Sequence, residues 1–128
     1  KRISKYTKIK IIEVDDINIG DISNILKKEE EQIIKFIDKK DYVITLEIEG
    51  CKITSLEFAK KINSIFNNFS SIVFIIGSSY GLSTNIKNIA HYRLSFSDFT
   101  FPHQLFRVML LEQIYRSFKI NNNEEYHK

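Results

Sequence analysis

At 128 residues the chain has the length of one domain, and it can bury a continuous core without a metal or disulfide staple. Its one cysteine, Cys51, excludes an intramolecular bridge and a cysteine-type zinc site, and points to a reducing compartment. A net charge of +3 is too mild to argue for nucleic acid by itself, and neither a run of membrane-spanning length nor a charged-then-apolar leader is present, so a soluble protein is expected.

The first element in chain order is KIKIIEV, Lys8 to Val14, which alternates and then fuses into an apolar run and so predicts a strand. After the polar DDINIGD, apolar residues at Ile22, Ile25, Leu26, Ile33, Ile34 and Ile37 recur at helical spacing. They predict an amphipathic helix with the KKEEE of 27–31 on its wet face. Tyr42 to Ile48 predicts a second strand that stops at Gly50. Thr54 and Ser55 are suited to cap a helix carrying Leu56, Phe58, Ala59, Ile62, Ile65 and Phe66. Ile72 to Ile76 is nearly all apolar, as a strand covered on both faces must be. Ser83 can cap a short helix through Ala90, Tyr92 to Phe96 reads as a fourth strand, and Pro102 opens a long last helix to Ile120.

Strands and helices alternate throughout, which predicts a single α/β domain over residues 1–128, with a parallel sheet and helices on both faces. The last helix is unusual. Leu105, Phe106, Val108, Met109, Leu110, Leu111, Ile114, Tyr115 and Phe118 cover more than one side of it, leaving surplus apolar surface in a small domain. Homodimerisation through this helix is the expectation.

Gly77-Ser78-Ser79-Tyr80-Gly81 admits two readings. As G-x-S-x-G it is a strand-to-helix elbow presenting Ser79 as a nucleophile, with Asp98 and His103 or Glu124 and His127 as acid and base. That match is cheap, and the chain is short for the fold that carries the elbow. As a backbone loop at the carboxyl end of a parallel strand, it lets a ligand approach the main chain at Gly77 and turns at Gly81 into the next helix. Two other strand ends carry distinctive sequence: Thr45-Leu46-Glu47 with Gly50, and Phe96 to Phe101.

The stretches VITLEIEG, FIIGSSYGLS and LSFSDFTFPHQLFRVMLLEQIYRSFKI, with the terminal EYHK, together resemble the ribosomal RNA large subunit methyltransferase H family. Its members are SPOUT-class enzymes that methylate N3 of a pseudouridine in large-subunit rRNA. The resemblance runs from Tyr6 to Lys128. It implies a carboxyl-terminal trefoil knot, an obligate homodimer, the ribosome as partner, a cytoplasmic location (organellar in a eukaryotic source), and no metal. It also implies S-adenosylmethionine as cofactor, held against Leu46, Gly77, Phe96, Ser97, Asp98, Phe99, Thr100 and Phe101. His127 and Tyr126 become the expected catalytic residues, on a tail that crosses to the partner's pocket. Arg107, His103 and Lys128 are weaker candidates for RNA contact, with Glu112 and Arg116 a plain i, i+4 pair. Two departures stand out: Ser78 occupies the place of the family's second glycine, and the family's first strand and helix precede Lys1. A knotted domain that binds RNA or a partner without methylating is the alternative.

Overall fold

The structure is a computed structural model that describes residues 8–14, 20–78 and 81–122. Four strands, β1 (Lys8–Glu13), β2 (Tyr42–Lys52), β3 (Ser71–Ile76) and β4 (Tyr92–Ser95), alternate with four helices, α1 (Ile22–Ile34), α2 (Ser55–Ile65), α3 (Thr84–Ile89) and α4 (His103–Asn121). All the strands are parallel, in the order β1-β3-β2-β4. Every strand therefore starts at one end of the sheet and finishes at the other.

The alternation of side chains along a strand assigns the two faces. Ile72, Phe74 and Ile76 of β3, with Ile44, Leu46 and Leu94, pack under α2 and α4 against Phe58, Ile62, Ile65, Leu110 and Ile114. Val73 and Ile75, with Val43, pack under α1 and α3 against Ile33, Leu82 and Ile86. Helices thus cover both faces, which is why β3 can be apolar at every position from Ile72 to Ile76. Thr54 caps α2 in a reciprocal capping box with Glu57, and Ser83 caps α3 by accepting from the Ile86 amide.

Most boundaries fall within a residue of the sequence expectation, and the differences that bear on the core and the site are these. α1 ends at Ile34, with Ile37 packed beside the core beyond it. The fourth strand stops at Ser95, so that Phe96 lies beyond it. β2 does not stop at Gly50 but continues to Lys52, because its pairing with β4 jumps from Leu46↔Leu94 to Cys51↔Leu94. Gly50 makes this bulge possible: a Cβ there would come within 2.8 Å of the Leu94 backbone and 2.9 Å of Arg93. The face of α1 also differs. Glu29 is buried, 1% exposed, on the i, i+4 row between Ile25 and Ile33, so the run of 27–31 is not wholly a wet face.

Candidate functional site

A cleft of about 520 Å³ opens at the carboxyl end of the sheet. Its walls come from the end of β2 and its bulge (Leu46 to Glu49), the segment after β3 (Gly77, Ser78, Gly81 and Leu82), and the segment leading into α4 (Phe99 to Pro102). These are the three strand ends that the sequence marks as distinctive.

The segment after β3 is tightly folded. The Gly81 amide donates to the Ser78 carbonyl at 2.9 Å, and Gly81 has a φ of +84°, where L side chains are strained. At Gly77 a Cβ would sit 2.6 Å from the Gly81 carbonyl oxygen and 2.8 Å from the Leu82 side chain. Glycine there lets the loop close on itself and leaves main chain facing the cleft. Ser78 is buried, and its hydroxyl donates to Glu29 Oε1 at 2.9 Å. The side chain that replaces a second glycine is thus anchored to α1.

The β2 bulge sends charge to the rim. Arg93 forks onto Glu47, Nε to Oε2 at 2.9 Å and Nη2 to Oε1 at 2.7 Å, and the Thr45 hydroxyl donates to Glu47 Oε2 at 2.6 Å. Lys87 Nζ donates to Glu49 Oε1 at 3.1 Å and lies 3.8 Å from Glu47. The hydrogen bond from Lys87 holds the Glu49 carboxyl below its usual range, and Glu47 beside Arg93 raises the guanidinium's. Both carboxylates at the cleft are therefore committed to cations, an arrangement that orients the side chains there.

Of the expected cofactor residues, Leu46, Gly77, Phe99, Thr100 and Phe101 come together around the cleft. Phe96, Ser97 and Asp98 do not line it. Phe96 packs on Phe106 with ring centroids 5.2 Å apart, Ser97 Oγ accepts from the Phe99 amide at 3.0 Å, and Asp98 pairs at the surface with Lys52 at 2.6 Å. Ser97 thereby shapes the turn that presents Phe99, which is 75% exposed. Arg107 forms an ion pair with Glu13 at 3.2 Å, and Glu112 with Arg116 at 2.8 Å. His103 is the first residue of α4. Tyr126, His127 and Lys128 lie outside the described residues, as do Ser79 and Tyr80. Glu49 and Lys87 at the cleft are charged residues that sequence reasoning did not single out, and it named Glu47 only as part of a strand end. The only available signal was the dense charge of the EIEG segment next to a glycine.

A parallel α/β sheet with a cleft walled by loops at its carboxyl end has the arrangement in which open α/β sheets bind ligands. A family model described as "Predicted SPOUT methyltransferase" matches residues 1–127, and the chain belongs to that family. Among similar proteins, ribosomal RNA large subunit methyltransferase H of Finegoldia magna is 50% identical over 135 aligned positions. The protein of that name in Ruminiclostridium cellulolyticum is 45% identical, and a Methanococcus maripaludis relative, whose name carries the same assignment provisionally, is 56% identical. Each alignment covers the whole chain and 85% of the relative.

Proposed function

We propose that this protein transfers a methyl group from S-adenosylmethionine to N3 of a pseudouridine in large-subunit rRNA, on the assembled ribosome. The observation that carries the reading is the convergence of Leu46, Gly77 and Phe99 to Phe101 on one cleft at the strand ends of a SPOUT-family chain. The names of the relatives supply the substrate class.

The residues present fit the cofactor. A volume of about 520 Å³ lies within the roughly 300–1,000 Å³ of small-molecule sites, and the walls combine apolar side chains with two glycines, Gly77 and Gly81. When bound, S-adenosylmethionine supplies a methyl group already activated by its sulfonium. Leu46, Phe101 and Phe106 wall the cleft with apolar surface, and Gly77 and Gly81 bring main chain to its wall. What remains for the protein is placement of the substrate nitrogen and removal of its proton. With Glu47 and Glu49 engaged by Arg93 and Lys87, the expected proton acceptor is His127, with Tyr126 stacking on or bonding the base.

The active form in this reading is a homodimer whose interface includes α4. Leu105, Val108 and Leu111 are exposed on successive turns of that helix, the surplus apolar surface expected from the sequence. The modest net charge of +3 favours recognition of a shaped ribosomal surface over tight binding to free RNA. Calorimetry with S-adenosylmethionine should show binding, and methyl transfer should be faster on assembled ribosomes than on naked rRNA. Absence of binding would leave the non-methylating domain as the better reading, and equal rates would remove the ribosome from it. Sedimentation of Val108→Asp tests the dimer: a shift toward monomer is expected, and an unchanged dimer places the interface elsewhere.

The serine hydrolase reading loses its support. Asp98, one of its proposed acids, is bound to Lys52 at the surface, and the family is one of methyltransferases.

A further inference from the structure

We infer that Glu29 is a positioning residue for the cofactor loop, its carboxylate holding the start of that loop in place through the Ser78 hydroxyl. The inference rests on the reading of the cleft as the S-adenosylmethionine site.

Glu29 occupies a position that the pattern of α1 reserves for an apolar side chain, between Ile25 and Ile33 on the buried row. A carboxylate buried to 1% exposure carries a large desolvation cost, and such groups are almost never found without partners. An isoleucine or leucine at this place would serve the core better, so the carboxylate needs a reason other than packing. Its partner supplies one: Ser78 Oγ donates to Glu29 Oε1 at 2.9 Å, a contact between residues 49 positions apart in sequence.

Ser78 is the residue through which the loop can be gripped. It follows Gly77, lines the cleft, and its carbonyl accepts the Gly81 amide that closes the turn. The next residue of α1 grips the far side: Glu30 accepts from Ser83 Oγ at 2.8 Å and from Asn85 Nδ2 at 3.2 Å. Adjacent carboxylates on one helix thus tie down both ends of the segment that walls the cleft. A ligand meeting main chain held in place loses less on binding than one that must order it.

The test is titration calorimetry with S-adenosylmethionine on the full chain and on Glu29→Ala, Glu29→Gln, Ser78→Ala and the Glu29→Ala/Ser78→Ala double variant. Glu29→Ala should weaken binding about ten-fold, the size expected from one charge-assisted hydrogen bond. Glu29→Gln, which keeps an acceptor for Ser78, should lose less. The double variant should lose less than the two single variants combined, because both changes remove the Ser78–Glu29 contact. In methyl transfer, KM for the cofactor should rise with little change in kcat. A cooperatively folded Glu29→Ala that binds as tightly as the unaltered protein overturns the inference, as do losses that simply add in the double variant. Should Glu29→Ala not fold, Ser78→Ala decides alone, and unchanged affinity there overturns it. Failure of the unaltered protein to bind S-adenosylmethionine is a separate result, which removes the reading of the cleft and the inference with it.

Discussion

The two ends of the sheet are built by different rules. At the amino end, where β2, β3 and β4 begin, polar side chains are matched in a closed network. Asp41 is buried and accepts from Lys10 Nζ at 3.0 Å, from the Asp38 amide at 2.8 Å and from the Ser71 hydroxyl. His91 Nδ1 accepts from the Val43 amide at 2.9 Å while its own amide donates to the Val43 carbonyl at 2.8 Å. Its ring stacks on Tyr42, with Phe69 edge-on to both. At the carboxyl end the ion pairs of Glu47 and Glu49 stand beside a bulge, a glycine-walled loop, an exposed Phe99 and a cleft. A parallel sheet gathers all its strand starts on one side and all its strand ends on the other, so stability and ligand binding can be assigned to separate residues. The comparison predicts that changes at the two ends move different measurements.

Gly77→Val should have the largest effect, on the carboxyl end alone. Its side chain would meet the Gly81 carbonyl where even a Cβ stands at 2.6 Å, and the loop must shift. Overpacking of about 3 kcal/mol spent in the loop corresponds to about a hundred-fold loss of cofactor affinity, measured by calorimetry, with a smaller change in melting temperature. Asp41→Ala should do the reverse. Leaving Lys10, Ser71 and the Asp38 amide without their acceptor should cost about 2 kcal/mol in chemical denaturation while cofactor affinity stays unchanged. Phe99→Ala sharpens the contrast, since a side chain this exposed contributes little to the fold. Denaturation should be indistinguishable from the unaltered protein, while ligand binding weakens by about 1 kcal/mol if the ring closes over the cleft.

The smallest effect is a pH dependence confined to the amino end. Burial would raise the Asp41 carboxyl, but the bonds from Ser71, Asp38 and Lys10 outweigh it and hold the group below 3.8. With the folded value depressed, the unfolded chain takes up the proton first as pH falls. The stability that Asp41 confers is complete above pH 3.8 and is lost as pH drops through the folded value. Asp41→Asn should flatten that part of the acid-denaturation profile and leave the profile near neutral pH unchanged.

Much of this was legible in the sequence, for identifiable reasons. Periodicity located all eight elements, and the uninterrupted apolar run of β3 announced helices on both faces. Boundaries slipped where one residue serves two purposes. Gly50 reads as a strand terminator but is the close-contact point of a bulge, and Glu29 reads as solvent-facing although its spacing from Ile25 and Ile33 places it inside. In the site, composition marks only the three strand ends, and it is the family resemblance that singles out Leu46, Gly77 and Phe99 to Phe101 within them. The rim pairs of Glu47 with Arg93 and Glu49 with Lys87 were not, because the register shift that creates them belongs to the pairing of two strands. Phe96, Ser97 and Asp98 belong to the same segment as Phe99, but their side chains turn to packing, turn formation and a surface ion pair.

The central claim is that the cleft at the carboxyl end serves methyl transfer to large-subunit rRNA. Its most direct test is incubation of the protein with methyl-labelled S-adenosylmethionine and ribosomes that lack the modification, followed by nucleoside analysis of both ribosomal subunits. The account predicts label in N3-methylpseudouridine of the large-subunit rRNA, none in the small subunit, and loss of that label with Gly77→Val. A protein that binds S-adenosylmethionine yet leaves the large-subunit rRNA unlabelled would contradict it.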